Sequence, residues 1–214
     1  MTNQTLLKNL YDIEKYMNDK NYMDSYYKLQ DIIKSVKDDI IKSEAKATGK
    51  NKQYSALKNI CKYADREEFK IPFVCGGFQW FCSGYHFVGI PEENKISWPE
   101  ERKEKFNLNC LKCIPEKATE ELKLPDIKKL SAYIKIEKSK GNKRIIYSFG
   151  GLIVNAQLLL DMLQAMPGCI AYRVQGNNTS VIKFICKESG MIGGLCPVII
   201  GPNEIEKYKD PTKF

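Results

Sequence analysis

Between Thr5 and about residue 46, apolar side chains recur at Leu6, Leu7, Leu10, Ile13 and Met17, and again at Tyr22, Tyr26, Leu29, Ile32, Ile33, Val36 and Ile40. This three-and-four spacing predicts two amphipathic helices, and the polar "NDKN" between them predicts a tight turn. Residues 1–50 are therefore expected to form a helical hairpin with a linker, "KATGKNKQ", running on from it. So small a pair buries little apolar surface alone and needs the main domain or another copy to pack on.

The period then changes. "YSALKNICKYA" places Leu57, Ile60, Cys61 and Ala64 on one helix face and Lys58 and Lys62 on the other. "KIPFVCGGFQWFCSGYHFVGI" predicts three short strands, turned at Gly76-Gly77 and Ser83-Gly84. "PEENKISWPEERKEKFNLNC", polar and carrying Pro91 and Pro99, reads as a connection.

In "LSAYIKIEKSKGNKRIIYSFGG", Ala132, Ile134 and Ile136 alternate with Tyr133, Lys135 and Glu137, which predicts two strands around a turn at Gly141-Asn142. Strand 151–154 then runs into a helix capped by Asn155, with Leu158, Leu159, Met162 and Leu163 as the buried stripe. Pro167-Gly168 ends it, and Gln157, Asp161 and Gln164 are expected to form its narrow wet face. "CIAYRVQ", "SVIKFIC" and "GMIGGLCPVII" read as three more strands, joined by the turn sequences "GNNT" and "KESG". Helix plus three strands thus occurs twice, a duplication of shape that predicts one α+β layer with both helices on one face of a sheet.

Composition narrows the function classes. With 214 residues, 43% hydrophobic and 28% charged, the chain suits one sizeable core with a small appendage. Its start shows no basic region followed by an apolar core, and no apolar run approaches the roughly 18 residues of a membrane span. A cytoplasmic location without membrane contact is expected. The eight cysteines sit mostly in apolar stretches and read as free thiols. "CLKC" at Cys110 to Cys113 is half a zinc motif with no second pair, so no metal or other cofactor is expected. The sequons at Asn3, Asn177 and Asn178 carry little without a secretory route.

The net charge of +8 is unevenly spread: residues 101–150 hold 13 Lys and Arg against 7 Asp and Glu. That basic stretch, with Lys138, Lys140, Lys143 and Arg144 at its turn, is a candidate polyanion contact. Catalytic signals are sparse. The one histidine, His86, lies in an aromatic strand and reads as structural, "ADREEFK" reads as a solvated helix end, and no phosphate-loop, dinucleotide or zinc-protease motif occurs. An enzyme is not expected.

The stretch "LIVNAQLLLDMLQAMPGCIAYRVQGNNTSVIKFICKESGMIGGLCPVII" resembles the last domain of bacterial DNA sliding clamps, the processivity (beta) subunits of replicative polymerases. The shared pattern is strand, Asn155, a helix with Leu159, Leu160, Asp161 and Leu163, then strands closing on an apolar proline-containing segment. "FQWFCSGYHFVGI" resembles early strands of clamp-like proteins of bacterial viruses. The resemblance implies a clamp-like α+β domain over residues 51–202, preceded by the helical hairpin and followed by a tail at 203–214. It implies a non-enzymatic replication or repair accessory factor of phage or mobile-element type. Lys58, Lys62, Lys138, Lys140, Lys143 and Arg144 would then contact double-stranded DNA without reading sequence. Cys196, Pro197 and Val198 match the clamp segment that lines a pocket for peptides of replication proteins. One chain has room for one clamp domain, so a ring would require a homo-oligomer. The alternative is an interaction module that binds a host protein without DNA.

Overall fold

The computed structural model describes residues 3–100, 102 and 110–199. Two compact units divide the chain, Met1–Asn51 with Ile96–Glu101, and Lys52–Lys95 with Arg102–Phe214. In the first, α1 (Asn3–Asn18) and α2 (Tyr22–Ala47) form the expected hairpin. Asn21 caps α2 by accepting from the Asp24 amide, and Lys28 bridges to Asp12 at 3.7 Å. Lys34 pairs with Glu100, so the segment after residue 95 belongs to this unit.

The second unit is mixed α and β. It opens with α3 (Asn51–Lys62) and the strands β1 (Phe73–Cys75), β2 (Phe78–Cys82) and β3 (His86–Pro91). After β4 (Ala118–Leu122) come α4 (Ile127–Ser139), the hairpin β5 (Ile146–Phe149) and β6 (Leu152–Asn155), and α5 (Ala156–Ala165). The strands β7 (Ile170–Val174), β8 (Ile182–Ile185) and β9 (Ile192–Leu195) close the described chain. Among the described residues, seven strands make one antiparallel sheet in the order β1-β2-β3-β9-β8-β7-β4, with β5-β6 as a separate two-stranded sheet. The two predicted triplets, β1-β2-β3 and β9-β8-β7, therefore meet at one seam, with His86 opposite Leu195 and Gly89 opposite Ile192.

Each sheet face has its own cover. Trp80, Cys82, Phe87 and Ile192 lie on one face, packed by Ala64, Phe69, Phe73 and Cys110. On the other, a Cβ at Gly193 would stand 2.7 Å from Met162 Cε and 2.8 Å from Met166 Sδ, so α5 presses directly on the backbone of β9. Phe149 of the small hairpin stacks on Phe184 with ring centroids 6.4 Å apart, placing β5-β6 on this second face too.

Two elements depart from the sequence expectation. Residues 127–139 are a helix where a strand was expected: Asp126 accepts from the Lys129 amide as N-cap, and Leu130 and Ile134, four apart, are buried while Ala132 and Ile136 are exposed. Gly141 and Asn142 close this helix, their amides bonding back to Lys138 and Glu137, and are not a hairpin turn. Strand β4, which no alternation announced, pairs with β7 through a register shift and holds Glu120 against Arg173 at 2.6 Å. Charges along such a margin suit the outermost strand of a sheet, whose free edge they protect from pairing with other chains.

Opposite Gly89 lies Trp80, fully buried and pinned by its indole N–H to the Cys75 carbonyl at 2.9 Å. A Cβ on Gly89 would meet three ring atoms at 2.5, 2.7 and 2.9 Å. Gly89→Ala is expected to cost about 1–3 kcal/mol by overpacking. Urea unfolding followed by tryptophan fluorescence checks this; an unchanged midpoint would refute the packing.

Candidate nucleic-acid interface

Helix α5 lies between two neighbours. From α3, the Gln53 side chain donates to the Ala165 carbonyl at 2.9 Å, and Asn59 Nδ2 donates to Asp161 Oδ1 at 3.2 Å. From α4, Lys138 Nζ donates to Gln157 Oε1 at 2.9 Å, and Gln157 Nε2 in turn reaches Asp161 Oδ1 at 3.4 Å. Asn59, Asp161, Gln157 and Lys138 thus form one polar chain across three helices. Asn155 holds the start of α5 as expected, its Oδ1 accepting from the amides of Gln157 and Leu158.

Asp161 is not on a wet face. It is 1% exposed, and its Oδ2 has no hydrogen-bond partner among the described residues. Burial pushes its pKa from 3.8 up to about 6, against the amides of Asn59 and Gln157 and the Lys138 charge, which favour the carboxylate. Tyr63 also faces it, its hydroxyl pushed up by burial and by the Asp161 charge.

The predicted basic residues fall on the two flanks of α5. Lys58 and Lys62 are exposed on α3, beside Asn59. Lys138 and Lys140 sit at the end of α4, and Lys143 and Arg144 follow in the exposed loop leading to β5. Lys140 pairs with Glu137 at 2.7 Å and, with Asn142, holds that carboxyl below its usual range. The strand assignment hid Lys128 and Lys135, exposed and seven apart along α4, which helical geometry puts on the same side. The 3.6-residue spacing of Leu130 and Ile134 was the available signal.

The other candidates are more enclosed. Cys196, Pro197 and Val198 are half-buried, and two backbone bonds hold them: the Cys196 amide to Tyr85 O at 2.8 Å and the Val198 amide to Ile153 O at 2.7 Å. His86 is fully buried, with Nδ1 2.6 Å from Ser83 Oγ, and burial lowers its pKa from 6.5 to about 3. Ser83 Oγ also accepts from the amides of Tyr85 and His86, so the pair builds the β2–β3 turn. All eight cysteines are free. Cys110 is buried in the same apolar cluster as Cys82, whereas Cys113 is exposed. Among the described residues, no three His, Cys, Asp or Glu side chains group as metal ligands. No described helix is long and apolar enough to cross a membrane.

No protein-family model matches this chain, nor does any curated protein or solved structure.

The two buried titratable groups give opposite pH dependences. Between about pH 6 and 4 the folded chain gains a proton at Asp161 that the unfolded chain does not, so stability rises as pH falls. Below 6.5 the unfolded chain gains a proton at His86 that the folded chain refuses, so stability falls with pH. The two largely cancel between pH 6 and 4. Asp161→Asn leaves the His86 term alone, and its stability is expected to fall by on the order of 1.4 kcal/mol per pH unit there relative to the parent. Denaturant titrations at pH 4, 5 and 6 check it; parallel profiles for parent and variant would contradict the buried-carboxylate account.

Proposed function

We propose that this chain is a clamp-like, non-enzymatic accessory protein of DNA replication or repair whose helix layer rests on the backbone of double-stranded DNA. The observation that carries the reading is the paired layout: α3 with β1–β3 and α5 with β7–β9, joined at β3 and β9, the two helices lying side by side. Lysines and arginine on both flanks of α5 support a contact that neutralises phosphates and reads no bases. The hairpin α1–α2 contributes none of the excess charge, since residues 3–47 hold eight lysines against eight Asp and Glu. The half-buried segment Cys196–Val198 corresponds to the clamp surface for replication peptides.

One observation favours an interaction module for a host protein. The central helix α5 presents Gln157 and Gln164 and buries Asp161, so it brings no positive charge to the middle of the layer. The two readings separate on salt. If the flanks touch phosphates, duplex affinity falls steeply with salt, at about 0.9 in log–log slope per contact. Lys58→Gln with Lys62→Gln, and Lys138→Gln with Lys143→Gln and Arg144→Gln, are each expected to flatten that slope by about 1 per lost contact, uniformly across DNA sequences. Fluorescence anisotropy on a random-sequence duplex at 25–200 mM salt measures it. Absence of binding at low salt would reject the DNA reading in favour of the protein-binding one.

A further inference from the structure

We propose that the hairpin α1–α2 is a self-association element, through which two copies of this chain pair as a four-helix bundle. Along α2, Tyr22, Tyr26, Leu29, Ile33, Val36 and Ile40 follow one another at intervals of 4, 3, 4, 3 and 4 residues, and all six are exposed. That spacing is the seam of a helix packed lengthwise against another helix. It is not the seam used within the hairpin, because Ser25, Ile32 and Ala45 are the buried positions of α2. Leu7, Leu10 and Met17 of α1 are exposed as well, between 46% and 54%. Tyr11, Met23 and Tyr27 are similarly exposed, at about 60% each.

The extent of this surface matches what a dimer needs. Leaving out Met23 and Tyr27, which lie about 100° or more round α2 from the stripe, ten large side chains, each about 40–60% exposed, offer on the order of 1,000 Å² if each has a full area of about 150–250 Å². A stable protein–protein interface takes about 800 Å² per partner. Its three tyrosines, Tyr11, Tyr22 and Tyr26, and Met17 are residue types enriched at interfaces.

Charge decides the occupant. A membrane-surface helix carries a polar face rich in lysine and arginine, and a nucleic-acid arm carries a basic excess. With eight lysines against eight acidic residues over 3–47, the hairpin has neither. A neutral surface of mixed sign meets a second copy of itself without net repulsion, and a two-fold axis makes one apolar stripe complementary to its own image. The pairing stands independently of any DNA contact by the second unit.

Sedimentation velocity on the full chain from 1 to 100 μM is expected to show a monomer–dimer equilibrium. Tyr26→Glu with Ile40→Glu, at positions 55% and 52% exposed, is expected to weaken it about 100-fold while circular dichroism stays unchanged. Hydroxyl-radical labelling of Tyr22 and Tyr26 in the unaltered chain supplies a second measurement, needed if the variant misfolds. Labelling is expected to fall as concentration rises through the dimerisation range. A monomer at every concentration overturns the proposal, as does a dimer untouched by the double variant or tyrosine labelling independent of concentration. Recruitment of a monomer to phosphatidylcholine–phosphatidylglycerol vesicles through these tyrosines also overturns it, by assigning the surface to lipid.

Discussion

The arrangement of the second unit depends on one antiparallel seam, β3 against β9, between segments more than 100 residues apart in sequence. Without it the sheet falls into two separate pieces, the three strands β1-β2-β3 and the four strands β9-β8-β7-β4. With it, seven strands become one sheet, and α5 can press on β9 and contact α3 laterally. Close approach makes the seam possible: β9 contributes Gly193 and Gly194 where methionine and phenylalanine side chains come down on the sheet. Larger residues there would lift α5 or displace Phe87. Closing so long a loop is entropically costly, and the buried apolar cover on both faces offsets it.

The helix layer is held differently, by a polar chain at its middle. Asp161 gathers amides from α3 and from its own helix, and Gln157 passes the connection on to Lys138 of α4. A buried carboxylate without a cation in direct contact is costly, and it raises its pKa instead of remaining fully charged. The polar chain fixes which helix lies beside which, a geometric role that apolar packing alone specifies loosely. It also ties the two lysine-bearing helices, α3 and α4, to α5.

Elements with strong local signals were legible in the sequence. The hairpin helices, the Asn155 cap, the Gly76-Gly77 turn and the strands after Gly168 all follow from residues a few positions apart. The region from 110 to 140 was not. Over Ala132 to Glu137, a two-residue alternation and a helical stripe fit almost the same letters, and the Asp126 cap that decides between them lies further upstream. Strand β4 exists because β7 offers it an edge and Arg173 a partner, both distant in sequence. Asp161 misled for a related reason: a carboxylate on a helix reads as solvent-facing until a second helix brings an asparagine to it. At the candidate interface, residue types were legible in advance, whereas their division between two flanks required the tertiary structure.

The central claim is that the lysine-bearing flanks of the helix layer form a surface for duplex DNA. Lysine-reactivity footprinting tests it most directly, comparing acetylation of the free chain with that of the chain saturated by a random-sequence duplex at low salt. The account predicts protection at Lys58, Lys62, Lys138 and Lys143, with the lysines of α1 and α2 unchanged. Equal reactivity at those four positions with and without duplex, or protection confined to the hairpin, would contradict it.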